Sequence, residues 1–282
     1  MKTYRYLRCD VFTDRAFAGN PLVVFSNALG LSDPQMQAIA REMNLSETVF
    51  VLPPREGGTA RLRIFTPSRE LTFAGHPTLG AAFAIGDVVH LPVLVLETGR
   101  GPVPVRLTRE GARVTWGMMQ QPLAIAEEFT DHATVAEALG LSPRVPVGRY
   151  TNGPSHLVAV LDSPEAVARL RPNANALARL GLVTLSAVAM IDPTRAHTRV
   201  FYDEDGLRED PATGSAAGAV ITHLAAHGLL GDAPIATLTL AQGAEIGRPS
   251  EIEAIITRSA GAVTQVEVGG AAIIVGRGEL KV

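Results

Sequence analysis

The second half of this 282-residue sequence repeats the plan of the first half, and the repeat limits the folds that the chain can adopt. The turn Gly19-Asn20-Pro21 has a counterpart in Asn152-Gly153-Pro154, and Arg63-Ile64-Phe65 recurs as Arg199-Val200-Phe201. Successive counterparts lie at a nearly constant sequence separation that drifts slowly upward. Such a drift is typical of a duplication with small insertions.

Each half also contains an apolar segment that predicts a buried helix. In the first half, residues 72–86 pass through a Gly-His-Pro turn into a run with almost no polar side chain, and residues 213–221 repeat this run after Asp210-Pro211. A helix that is apolar on every side is surrounded by protein, and these runs are shorter than the ~20 residues that a bilayer requires. The sequence therefore predicts an α+β fold of two similar domains, residues 1–122 and 123–282, each with strands around one apolar helix.

Composition excludes several classes of function. The net charge of −3 gives no reason to expect nucleic acid or an anionic membrane as a partner. The lysines are Lys2 and Lys281, so the interior offers no amine for a Schiff base or a phosphate-binding loop. Cys9 is the single cysteine, which excludes a two-thiol racemase mechanism and an internal disulfide. The start of the sequence is polar, with no apolar signal segment behind it, so we expect a cytoplasmic protein. Cys9 falls in an apolar predicted strand, so we expect it to be a small buried hydrophobic residue.

Glu47 is the sharpest catalytic candidate. It falls in the predicted strand of residues 45–52, and both faces of that strand are largely apolar. Partial burial raises the pKa of a carboxyl group, which suits a group that both donates and accepts a proton. The alternative is a glutamate at the strand edge with its carboxylate in water.

The starts of the two apolar helices are candidate anion sites, because free backbone N–H groups and the helix dipole converge there. His76 stands at the first helix, and Asp210 stands before the second with Ser215 beyond it. Each could equally be an ordinary capping residue. His223 and His227 have a spacing that could share a metal, but no third ligand is near, so we interpret them as a solvent-side helical face and predict no metal site.

Taken together, these segments resemble the PhzF family of phenazine-biosynthesis isomerases, nearly from end to end. The strings that carry the resemblance are Ala-Gly-Asn-Pro at 18–21, Ala-Arg-Glu-Met-Asn-Leu-Ser-Glu at 40–47, Arg-Ile-Phe-Thr-Pro at 63–67, Phe-Ala-Gly-His-Pro-Thr-Leu-Gly at 73–80, Asn-Gly-Pro at 152–154, Glu-Asp-Pro-Ala-Thr-Gly-Ser at 209–215 and Glu-Ile-Gly-Arg-Pro-Ser at 245–250. Any one of them is weak, whereas their order along the chain is specific.

The resemblance implies a fold like that of diaminopimelate epimerase, with pseudo-symmetric halves and a site in the cleft between them. It also implies a homodimer, no cofactor, and a small cyclic amino or carboxylic acid as substrate. The family isomerises trans-2,3-dihydro-3-hydroxyanthranilate by moving a hydrogen from ring C3 to C1. The position of Glu47 is implied to be the acid/base. The positions implied to bind substrate are Ser46, Gly75, His76, Asp210, Gly214 and Ser215.

Two departures from the family pattern concern the second half. Tyr202-Asp203 stands where we expect a small residue and a proline, and Ser155 stands where the phenazine enzyme tends to have a basic residue. Two alternatives to the phenazine reaction therefore stay open. The first is a paralogue that isomerises or epimerises another small cyclic carboxylic acid, and the second is a dimeric protein that binds a small acid without catalysis.

Overall fold

A computed structural model describes residues 1–181, 183–204 and 206–282. In this part of the chain the helices are α1 Asp33–Met43, α2 Gly75–Gly86, α3 His132–Leu139, α4 Pro164–Ala168, α5 Ala174–Arg179 and α6 Gly214–Ala226. The strands are β1 Thr3–Val11, β2 Asn20–Phe25, β3 Glu47–Leu52, β4 Ala60–Phe65, β5 Glu70–Leu71, β6 Val93–Thr98, β7 Gly101–Glu110, β8 Arg113–Gln121, β9 Ile125–Glu127, β10 Gly148–Thr151, β11 Ser155–Val160, β12 Thr184–Asp192, β13 Arg195–Asp203, β14 Leu207–Asp210, β15 Ile235–Gln242, β16 Ser250–Ser259, β17 Ala262–Gly270 and β18 Ala272–Lys281.

The chain forms two compact units. Unit 1 comprises residues 1–120 and 269–282, and unit 2 comprises residues 121–268. The division thus differs from the expected 1–122 and 123–282 mainly at the C-terminal end. The physical reason is that β18 pairs antiparallel with β1 along its whole length, from Thr3 opposite Lys281 to Val11 opposite Ala272. The pattern of the second half carried no signal for this pairing.

Strand pairing within the two units confirms the internal repeat. In unit 1, β1–β2 is antiparallel, β2–β3 parallel, β3–β4 and β4–β5 antiparallel, β4–β6 parallel and β6–β7 antiparallel. In unit 2, β10 to β16 reproduce this sequence of pairings step for step. The predicted α+β class is therefore correct, and each unit is built mainly from strands.

Unit 1 places its apolar helix inside and an amphipathic helix outside. Helix α2 lies against β1, β2, β3, β6, β7 and β18, and all its residues except Ile85 are buried. Helix α1 packs on β3 and β4, over an aromatic cluster in which Phe25 stacks on Phe50 at 5.2 Å between ring centroids. Burial of each large side chain contributes ~1.5–3 kcal/mol, so the packing of α1 and α2 stabilises the strands that they contact.

Unit 2 repeats the arrangement with α6 in the place of α2. Helix α6 packs on β10, β11, β12 and β16. The shorter helices α4 and α5 pack on β13, and α3 packs on α5, around a second apolar core that includes Leu157, Leu185 and Phe201.

Local contacts set the ends of the helices. Helix α1 is capped by Ser32, whose backbone N–H donates a hydrogen bond to the Gln35 side chain at 2.9 Å. Helix α2 begins at Gly75, so Pro77 is its third residue, where an N–H is still not needed. Asn44 ends α1 in the left-handed conformation, as its position predicts.

Candidate functional site

Unit 1 brings Glu47 and His76 together. Glu47 is the first residue of β3 and His76 the second residue of α2. Glu47 Oε2 and His76 Nε2 are 3.2 Å apart, and the two side chains are 15% and 4% exposed. Burial lowers the pKa of His76 from 6.5 to about 3, so the imidazole is neutral at physiological pH. The contact is therefore one between a carboxyl group and a neutral ring, not an ion pair.

Asn20 completes this group from the other side of the ring. It is the first residue of β2, is fully buried, and has its Nδ2 at 3.1 Å from His76 Nδ1. Strands β2 and β3 are parallel with Leu22 opposite Glu47, so their starts lie at one edge of the sheet. The start of α2 packs onto this edge because the helix is apolar all round.

The remaining unit 1 candidates adjoin this group. Ser46 is half-buried in the bend before β3, and Gly75 is the buried first residue of α2. Gly75 contributes a backbone N–H of the first helical turn, one of the groups that have no partner within the helix. The structure thus places Ser46, Glu47, Gly75 and His76 at the starts of β3 and α2.

In unit 2 the corresponding loop is held rigidly. Asp210 ends β14 and is buried, and its Oδ2 accepts a hydrogen bond from Thr213 Oγ1 at 2.6 Å. Gln242, at the end of β15, donates from Nε2 to the Asp210 carbonyl at 2.8 Å. The Asp210–Thr213 loop therefore presents one fixed conformation before α6.

The segment after β15 also holds the Asp210–Thr213 loop in place. Ser250 Oγ donates to the Pro211 carbonyl at 3.0 Å. Gly243 has φ +79°, and a Cβ there would lie 2.5 Å from the Pro211 carbonyl oxygen, so the chain passes too close for a side chain. A 3-10 turn at Ala244–Ile246 follows, and Glu245 Oε1 lies 3.0 Å from His197 Nε2.

The first turn of α6 is fixed by two buried amides. Gln121 Nε2 donates to the Gly214 carbonyl at 2.8 Å, and Asn152 Nδ2 donates to the Ser215 carbonyl at 3.0 Å. Asn152 Oδ1 in turn lies 3.2 Å from Nε2 of buried His156. Gly214 and Ser215 therefore keep their backbone N–H groups at a rigid helix start, which is suited to an anion.

Sequence reasoning missed the supporting residues. Asn20 and Asn152 were recognised as parts of turns, but nothing in the pattern indicated that their amides contact the helix starts. Gln242 carried no signal, and Ser250 was noted only as the end of a family string, because the atoms that they contact lie about thirty residues or more away along the chain.

The interpretation of His223 was wrong. His223 is buried and its Nδ1 lies 3.1 Å from the Tyr150 hydroxyl, because α6 packs on β10, and only His227 is exposed. Burial, with His227 nearby, lowers the pKa of His223 to about 4. The described residues contain no group of three or more His, Cys, Asp or Glu that could hold a metal.

Ser155 is one of the two departures from the family pattern, and a neighbouring strand supplies a basic side chain beside it. Arg149 Nε, on the neighbouring strand β10, donates to Ser155 Oγ at 3.2 Å. A guanidinium group therefore reaches this position from the next strand. Tyr202 and Asp203 end β13, and Asp203 Oδ1 accepts from the Gly206 N–H in the hairpin before β14.

Comparison with known proteins gives concordant matches. The family described as phenazine biosynthesis-like protein, PhzC-PhzF, matches residues 9–278. The trans-2,3-dihydro-3-hydroxyanthranilate isomerase of Pseudomonas fluorescens is 41% identical over 279 residues, covering 98% of this chain and 99% of that protein. The solved structure of a predicted epimerase from Pseudomonas aeruginosa is 32% identical in sequence, with a TM-score of 0.83 and coverage of 99% of both chains. A PhzF-family protein from Bacillus anthracis, 24% identical with full coverage of both chains and a TM-score of 0.86, shares the fold.

Proposed function

The chain belongs to the PhzC-PhzF family of phenazine biosynthesis-like proteins, and we propose that it is an isomerase of trans-2,3-dihydro-3-hydroxyanthranilate. The 41% identity to an isomerase of that name, over nearly the full length of both proteins, supports this substrate. In the reaction the C3–H bond breaks, a C1–H bond forms, and the resulting enol becomes a ketone. The composition of the substrate does not change.

Glu47 is the group that carries the proton in this proposal. The observation that supports the role is the 3.2 Å separation of Glu47 Oε2 and His76 Nε2, with both side chains largely buried. A carboxylate held there takes the proton from C3, the resulting carboxylic acid exchanges that proton with solvent, and the same group delivers a proton to C1. General acid–base catalysis contributes ~10²–10⁴-fold, so substrate orientation must supply much of the remaining acceleration.

The other candidates orient the substrate. Ser46, Gly75 and His76 in unit 1, and Asp210, Gly214 and Ser215 in unit 2, offer N–H, hydroxyl and carboxylate groups that match the carboxylate, amine and hydroxyl of the substrate. His76 Nε2 has no well-aligned hydrogen-bond acceptor among the described residues, so it can donate to a bound molecule. We further expect no cofactor, a homodimer and a cytoplasmic location. Among the described helices, none has the length and apolar character needed to cross a bilayer.

The test is to incubate the protein with trans-2,3-dihydro-3-hydroxyanthranilate in deuterated water. Wild type should produce the ketone and its condensation products, with deuterium entering C1. Glu47→Gln should keep the circular dichroism spectrum and ligand binding while kcat falls by at least ~10²-fold. Glu42→Gln, on the exposed face of α1, is the matched control and should retain wild-type kcat.

The outcomes separate the alternatives. Turnover of another small cyclic acid, dependent on Glu47, with none of the phenazine precursor, identifies a paralogue of different specificity. Binding without deuterium exchange in wild type identifies a protein that binds small acids without catalysis. Near-normal turnover by Glu47→Gln contradicts the proposed role of this residue.

A further inference from the structure

We propose that Asn20 is a positioning residue that keeps the ring proton of His76 on Nε2, the nitrogen that faces Glu47. The evidence is the order of three side chains, in which Asn20 Nδ2 lies 3.1 Å from His76 Nδ1 and His76 Nε2 lies 3.2 Å from Glu47 Oε2. The inference concerns the site of the proposed isomerase, but its first measurement does not depend on that activity.

The hydrogen-bonding chemistry of the amide determines the tautomer. The NH₂ group of an asparagine side chain donates hydrogen bonds and cannot accept them. The nitrogen opposite it must therefore be the unprotonated one. A neutral imidazole carries a single N–H, so the proton belongs on Nε2. Because burial keeps the His76 ring neutral, only one of its two nitrogens carries a proton.

Asn20 is itself fixed by the backbone. The preceding residue, Gly19, has φ +63°, and a Cβ there would lie 2.3 Å from the Val11 carbonyl oxygen. Asn20 then enters β2 opposite Val11 in the antiparallel pair with β1. Because Asn20 is fully buried, its amide has little freedom to turn away from the ring.

The internal repeat shows the same use of an amide in unit 2. Asn152, in the turn that corresponds to the turn of Asn20, donates from Nδ2 to the Ser215 carbonyl in the first turn of α6. In both units, a buried asparagine amide thus fixes a residue at the start of the apolar helix. Unit 1 differs in that the amide meets a side chain that is able to change its tautomer.

The Nε2–H group has a direct consequence for proton transfer. The N–H dipole 3.2 Å from a carboxylate oxygen favours the ionised form, although the two groups are not aligned as a hydrogen bond. In this ionised form Glu47 can accept the C3 proton. With the proton on Nδ1 instead, a lone pair would face Oε2, and the carboxylate would be destabilised. His76 keeps its own proton throughout, so it takes part as a donor and not as a proton carrier.

The experiment is a ¹⁵N–¹H NMR measurement of the histidine ring nitrogens near neutral pH, with the His76 signals assigned by their loss in His76→Gln. We expect wild type to show a protonated Nε2 and an unprotonated Nδ1. Asn20→Asp has nearly the same shape but places an acceptor opposite Nδ1. This variant should protonate Nδ1 and lower kcat at least tenfold, with a smaller change in KM. Asn27→Asp, in the exposed turn after β2, should change neither.

A wild-type spectrum with the proton on Nδ1 overturns the proposal, even if Asn20→Asp fails to fold. An Asn20→Asp protein with the wild-type tautomer overturns it as well. If the tautomer is as expected and Asn20→Asp switches it, but wild type does not convert the phenazine precursor, the role of Asn20 stands and the proposed substrate fails.

Discussion

Gln242 and Thr213 form a reciprocal pair of hydrogen bonds. The Thr213 backbone N–H donates to Gln242 Oε1 at 3.2 Å, and Gln242 Nε2 donates to Thr213 Oγ1 at 3.1 Å. Thr213 in turn donates from Oγ1 to Asp210, which places a proposed substrate-binding carboxylate at the end of a buried chain of polar contacts. Each member is satisfied by the next, so the chain is sensitive to a change at any one position.

Gln242→Glu should disturb this chain without changing its size. The carboxylate still accepts from the Thr213 N–H but cannot donate to the Asp210 carbonyl, so buried acceptors face each other. Loss of such a contact costs ~1–3 kcal/mol. We expect a lower thermal midpoint and a raised KM for the phenazine precursor. Gln120→Glu, at an exposed position, should change neither quantity.

Arg199 should be far more important to stability than its ion pair alone suggests. Its guanidinium pairs with Glu209 at 2.6 Å, and both side chains are almost fully buried. It also donates to the carbonyls of Val167, Ala168 and Leu170 at the end of α4. Arg199→Met leaves a buried carboxylate without its cation and removes one donor from each of these carbonyls, so we expect a loss of ~3–5 kcal/mol in urea unfolding.

The contrasting variant is Arg5→Met, which breaks the exposed pair of Arg5 with Glu279. Exposed pairs contribute ~0–1 kcal/mol, so its unfolding curve should nearly overlay that of wild type. Equal losses in the two variants would contradict the distinction drawn from burial.

Acid should destabilise the protein through its buried histidines. Burial lowers the pKa values of His76 and His156 to about 3 and that of His223 to about 4, below the ordinary value of 6.5. As the pH falls below the ordinary value, the unfolded chain binds protons that the folded chain does not. Stability therefore falls between about pH 6.5 and the folded-state values.

The slope of this loss is measurable by urea unfolding between about pH 7 and pH 5. Each histidine contributes up to ~1.4 kcal/mol per pH unit, so His156→Gln should flatten the slope by about that amount. His90→Gln, at an exposed position, should leave the slope as it is in wild type. An unchanged slope in His156→Gln would be inconsistent with a buried neutral ring.

Cys9 should be inert in the folded protein, where it is buried as the sequence predicts. It is fully buried in β1, and burial together with the charges of Asp10 and Asp87 raises the pKa of its thiol to about 12. A thiol reagent applied near pH 8 should therefore not react until urea unfolds unit 1. Prompt reaction in native buffer would show that β1 opens readily.

The sequence predicted the features that depend on local pattern. The apolar runs became α2 and α6, because the hydrophobic pattern of a helix is set within a few residues. The repeat of the two halves was visible for the same reason. Glu47 and His76 were each selected by their immediate surroundings, and the structure brings the two side chains together.

Contacts made across long stretches of chain could not be predicted in this way. The pairing of β18 with β1 and the contact of Asn20 with His76 depend on strand order, which no short segment encodes. His223 was misinterpreted because its burial is set by the neighbouring strand β10 and not by helical spacing.

The pairing of β1 with β18 also has a consequence for synthesis on the ribosome. Unit 2 is continuous in sequence and has all its strands once residue 268 has been made. Unit 1 begins earlier, and β1 can pair with β2, but the second neighbour of β1 is missing until residues 272–281 have been translated. Because domains with exposed strand edges are prone to misassembly, we expect nascent unit 1 to depend on chaperones longer than unit 2 does.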